Sequence, residues 1–309
     1  MELVRVVELT EGGPRCVDLV ESTSNAVYDY ATAAGQFSQI NGVLAALVFA
    51  AFVFILERGD SFERSFPVSL NLLPVTFGVA ILSAYQYSIV NSYGTCEVIA
   101  VLAIVAGPSF SFVILAIIAS MATMFAEIGG DAGKSAYLVT VALFAATAGL
   151  TVGNVAITVM DARATFGLEY SANSLLSHTL MGLLTGAAVL LLFYILVNRG
   201  GAAKVPVLRV MRGSAVVPLI AVTTSMFVVA SGVLFAFVGI VPDWASEESA
   251  RAVGRQLLRL GWISPVLTGL MAGLLGALTW WEYRRLSEER GLNSYEEPGL
   301  NSDEEPGLP

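Results

Sequence analysis

Residues 98–126 read VIAVLAIVAGPSFSFVILAIIASMATMFA, without one Asp, Glu, Lys or Arg. As a helix rising 1.5 Å per residue, the stretch spans about 43 Å, longer than the roughly 30 Å hydrocarbon core of a bilayer. A helix apolar on every face belongs in a protein core or in lipid, and this length favours lipid. Gly107-Pro108 lies inside it. Proline lacks an N–H and crowds the turn before it, so a kink or an unwound turn is expected there.

Six further apolar segments flank this one, at about 40–57, 68–90, 135–160, 174–197, 215–241 and 263–282. The run at 68–90 is the weakest, because Asn71, Pro74 and Gln86 interrupt it. The last carries its own check. Trp262 and the Trp280-Trp281 pair stand about 18 residues apart, roughly 27 Å of helix, and aromatic belts occupy those two membrane levels. Composition agrees: 56% of residues are hydrophobic, and 13% are charged against about a quarter in a soluble domain. The mean hydropathy is +0.74. The fold class is therefore an all-α integral membrane protein, a bundle of about seven transmembrane helices. A small extramembrane segment is expected at 1–36, the bundle at 37–283 and a disordered acidic tail at 284–309.

The flanks are polar. Leu3 to Leu9 and Arg15 to Val20 are β-prone runs around Thr10-Glu11-Gly12-Gly13-Pro14, which reads as a small hairpin. Ser22-Thr23-Ser24 then offers N-cap hydroxyls to a helix leading toward the membrane. The start lacks a basic leader and a continuous apolar core, so the first membrane helix is expected to direct insertion. Near the other terminus, GLNSYEEP at 291–298 repeats as GLNSDEEP at 299–306. Its polarity and acidity read as a solvated tail, with docking of a cytoplasmic protein through residues 286–309 as the functional alternative.

Basic residues set the orientation. The N-terminal segment and even-numbered loops carry six (Arg5, Arg15, Arg163, Arg251, Arg255 and Arg259), and the opposite side carries ten. Positive-inside then places the protein in the cell membrane with its N-terminus outside and its C-terminus in the cytoplasm. Cys16 and Cys96 share the outer side, where a disulfide is chemically allowed; two free thiols are the alternative. Between the last two segments an interfacial helix is expected, with Ser246 as its cap and Val253, Leu257 and Leu260 on one face. Arg251, Arg255 and Arg259 form another face, which reads as snorkelling anchors or as a contact for anionic headgroups.

The residues also exclude chemistries. A net charge of −9 opposes nucleic-acid binding. No ionisable Asp, Glu, Lys or Arg falls within the segment cores, and Glu57, Glu97, Glu127, Asp161 and Glu282 stand at segment ends where water is expected to reach them. Retinal attachment and aspartyl proteolysis are thereby excluded, and proton relays are weakened. His178 is the lone histidine, no metal-ligand spacing or nucleotide motif occurs, and no cofactor is implied. Ser109 and His178 are the best available nucleophile–base pair, yet Gly-Pro-Ser-Phe lacks the second glycine of a GxSG motif, so no enzyme is expected.

Uncharged polarity remains. Thr140, Thr147, Thr151, Asn154 and Thr158 fall along one stripe of the fourth segment. Ser174, His178, Gly182 and Gly186 recur every fourth residue in the fifth, and Gly269, Gly273 and Gly276 mark the seventh. Small residues with Thr, Asn and His serve close helix packing or homo-oligomer contacts through GxxxG faces. Alternatively, the stripe and His178 line a polar path for a small solute or ion. The functional expectation is thus solute or ion passage, against a non-catalytic sensor or scaffold acting through the outer segment and the tail.

Overall fold

A computed structural model describes residues 30–57, 67–92, 96–128, 130–165, 171–204, 259 and 261–293. These residues form six long helices, with no strand among them: α1 (Tyr30–Glu57), α2 (Pro67–Ser92), α3 (Cys96–Ile128), α4 (Gly130–Thr165), α5 (Ala172–Lys204) and α6 (Ile263–Asn293). Five of them, all but α2, are long and apolar enough to cross a membrane. Asn71, Thr76, Ser83 and Gln86 dilute α2, as the sequence foreshadowed. The segment at 215–241 and the hairpin at 3–20 lie outside the described residues.

The distribution of apolar side chains decides the solvent. Leu47, Val139, Leu150 and Leu184 point outward, and Leu150, near the middle of α4, is 74% exposed. A water-soluble bundle would turn such faces inward. α3 and α6 are instead enclosed, with Leu115 and Leu275 among the most buried side chains. The chain is an α-helical, multi-pass membrane protein.

α1 with α2 and α3 with α4 form antiparallel pairs, the second joined at Gly130, whose φ of 64° falls in the left-handed region open to glycine. Asp131 in the first turn of α4 and Arg163 in its last turn complement the helix dipole. α5 and α6 run parallel, since Gly182 meets Pro265 and Gly269, Gly186 meets Gly269 and Gly273, and Phe193 meets Trp280. Their backbones touch. A Cβ on Gly186 would come within 2.8 Å of the Gly269 carbonyl oxygen, and one on Gly182 within 2.6 Å of the Pro265 carbonyl oxygen. The glycine faces that the sequence offered for self-association are thus turned on each other within one chain.

Two expectations change. Of the kink or unwound turn expected at Gly107-Pro108, the unwound turn is absent, since α3 is helical through both residues. Pro108 has no N–H to reach the Ile104 carbonyl, but Ser264 Oγ on α6 donates to that oxygen at 2.8 Å. A hydroxyl from the neighbouring helix replaces the missing helical donor, as lipid cannot. Ser264→Ala is expected to lower stability by about 1–2 kcal/mol, read as an earlier thermal loss of the monodisperse peak in detergent. An unchanged melt would show that the hydroxyl does not serve that carbonyl. The second change concerns the tail: α6 continues past Tyr283 to Asn293, with Arg284 Nε bonded to Glu288 at 2.8 Å one turn on. The start of the region read as disordered is therefore helical.

Candidate functional site

One group of buried polar side chains lies where α1 begins, α2 ends and α3 passes. Ser38 Oγ donates to the Ala84 carbonyl at 2.9 Å, and Asn41 Nδ2 donates to Ser83 Oγ at 3.1 Å, tying α1 to α2. Beside them the rings of Phe37, Tyr87 and Phe110 meet, with centroids 4.9 Å apart for Phe37–Phe110 and 5.3 Å for Phe37–Tyr87. This contact brings α1, α2 and α3 to one level. Gln86 precedes Tyr87 and Ser109 precedes Phe110, so both lie at that level as well.

Three side-chain oxygens here have no hydrogen-bond partner among the described residues: Asn41 Oδ1, Gln86 Oε1 and Ser109 Oγ. Their residues are 0%, 5% and 1% exposed. An unpartnered buried polar group costs about 1–3 kcal/mol, so native interiors rarely keep one without water, ligand or function to account for it. Gln86 stood out in the sequence only as an interruption of the apolar run at 68–90. Spacing alone does not say which polar atoms find partners.

The stripe on α4 is differently placed. Thr140 and Thr151 are buried, Thr147 and Thr158 half-buried, and Asn154 exposed. Thr140, Thr151 and Thr158 donate to the carbonyls of Ala136, Ala148 and Asn154, at 2.8, 3.1 and 3.0 Å, each within α4 itself. His178 is half-buried, with Nδ1 2.6 Å from the Ser174 carbonyl. A carbonyl only accepts, so Nδ1 is the donor in this contact. Among the described residues, no hydrogen bond joins the stripe to His178, or Ser109 to His178. Arg259 is exposed, whereas Arg251, Arg255 and Cys16 lie outside the described residues and Cys96 opens α3.

The carboxylates require a correction. Glu57 is exposed as expected, but Glu127 is only 8% and Glu282 only 3% exposed. Neither stands in open water: helix ends packed against one another cover them. Glu282 is paired with Arg285 one turn along α6. Nearby, Tyr137 stacks on Tyr283 at 4.3 Å and 7°, and its hydroxyl reaches the Thr279 carbonyl at 3.4 Å. The Glu-Tyr-Arg-Arg run at 282–285 held the signal for the ion pair, through its three-residue spacing.

A cavity of about 650 Å³ lies between α4, α5 and α6, lined by Phe144, Val152, Leu183, Leu190, Gly273 and Trp280 among others. Its wall is apolar. Trp280 touches Tyr194 and Phe193, and the Arg284 guanidinium sits 5.7 Å from the Trp280 ring centroid. No family model, curated protein or solved structure matches this chain.

Proposed function

We propose that this membrane protein binds or passes a small solute or ion within its helical bundle. The observation that carries the reading is the set of unpartnered, buried oxygens on Asn41, Gln86 and Ser109. In a bilayer such groups are retained where they line a site or a path. The route along Thr140, Thr147, Thr151, Asn154 and Thr158 with His178 is the second location for it, since Thr140 and Thr151 are buried while their oxygens keep free lone pairs.

The accompanying topology has seven crossings, the N-terminus outside and the C-terminus in the cytoplasm. The parallel course of α5 and α6 supports the seventh crossing. Lys204 and Ile263 stand at opposite ends of the bundle, and the apolar run at 215–241 is long enough to span a bilayer.

Cysteine accessibility tests both locations, in a Cys16→Ser, Cys96→Ser background. A small water-soluble thiol reagent is expected to modify Ser109→Cys and to leave the buried, apolar-facing Val152→Cys unmodified. Thr151→Cys and Asn154→Cys report on the α4 route. If neither Ser109→Cys nor Thr151→Cys reacts from either side, water does not enter the bundle and solute passage is rejected.

A further inference from the structure

We infer that Asn41, Gln86 and Ser109 each bind, through the unpartnered side-chain oxygen, a small neutral molecule that donates hydrogen bonds, water being the smallest member of the class. The inference rests on the solute reading above and adds the chemistry of the occupant. Amide oxygens only accept, so the partners that Asn41 Oδ1 and Gln86 Oε1 lack are donors. The Asn41 nitrogen is already committed to Ser83, which leaves its oxygen as the free end of the amide. Each of these acceptors can take one of the two to four hydrogen bonds that a buried water, an amide or a polyol group makes.

Charge selects against ions. Residues 30–56 of α1, the whole of α2 and residues 98–126 of α3 contain no Asp, Glu, Lys, Arg or His. From these stretches of α1, α2 and α3 a cation would meet neutral oxygens and no counter-charge, and desolvating an ion is offset only by opposite charge or full coordination. Three neutral acceptors supply neither. A neutral donor loses only its hydrogen bonds to water and regains them at the site.

The sign of a stability change separates an occupied site from a dry one. Removing a dry, unpartnered oxygen relieves a cost and raises the melting midpoint, whereas removing an oxygen bonded to an occupant lowers it. Ser109→Ala and Gln86→Met, which nearly conserve shape, are each expected to lower the midpoint by a few degrees in detergent. A raised or unchanged midpoint for both overturns the inference. In proteoliposomes, light-scattering assays with water, urea and glycerol gradients run beside a potassium flux assay. Flux of a neutral solute that drops toward the protein-free level in both variants supports the site. Neutral flux unaffected by the variants, or potassium flux alone, overturns it and leaves passage elsewhere in the bundle standing. No flux of any kind in the wild type, together with lowered midpoints, rejects passage and retains the site as a binding site.

Discussion

Gly269→Ala is expected to destabilise the protein by about 1–3 kcal/mol, and Gly269→Leu by more, because the added carbon falls on the Gly182 carbonyl oxygen of α5. In an exposed helix the same change to alanine would stabilise by about 1 kcal/mol, since alanine is the better helix former. The sign is reversed by the neighbouring backbone, which cannot move aside as a flexible side chain would. Gly186 and Gly273 face the same contact, so spreading the helices at Gly269 loosens their packing too. Gly42→Ala supplies the control, because a Cβ there meets nothing within 4 Å. Thermal melts of the two variants in one detergent read the difference directly. A Gly269→Ala protein as stable as wild type would mean that α5 and α6 do not cross at this contact.

Leu150→Arg is expected to block insertion or folding, whereas Leu150→Ala is tolerated. Leu150 lies near the middle of α4 and is 74% exposed, so on a soluble protein an arginine there would be harmless. At the centre of a membrane helix, arginine instead costs about 2.5–3.5 kcal/mol on insertion scales, and the favourable contribution of leucine is lost as well. The yield of folded protein from the membrane fraction separates the two environments. A Leu150→Arg protein recovered from membranes at the wild-type level would place that face of α4 against protein or water rather than lipid.

Most of the helical plan was legible in the linear pattern. Apolar runs at 68–90, 98–126 and 135–160 mark α2, α3 and α4 to within a few residues, because a span must hide its backbone and its side chains from lipid along its whole length. The ends were less legible. α1 begins at Tyr30 and α6 continues to Asn293, since a helix held by its own hydrogen bonds and by pairs such as Arg284–Glu288 does not stop where hydropathy does.

The candidate site was legible in its ingredients and not in its arrangement. The stripe of Thr140, Thr147, Thr151, Asn154 and Thr158 follows from helical periodicity, yet three of its hydroxyls bond within α4. The unpartnered oxygens sit on three other helices, and a polar atom's lack of a partner depends on every neighbour at once. Glu127 and Glu282 illustrate the same limit: position at a segment's end predicts water, and packing of adjacent ends removes it.

Composition, run length and the absence of charge within those runs were enough to determine a helical membrane protein, because the transfer of each residue into lipid is a local cost. Only tertiary structure decided that the glycines of α5 and α6 meet each other, that Ser264 serves the carbonyl freed by Pro108, and that Asn41, Gln86 and Ser109 keep acceptors unpaired. Those outcomes depend on which helix faces which, and no single helix carries that information in its own sequence.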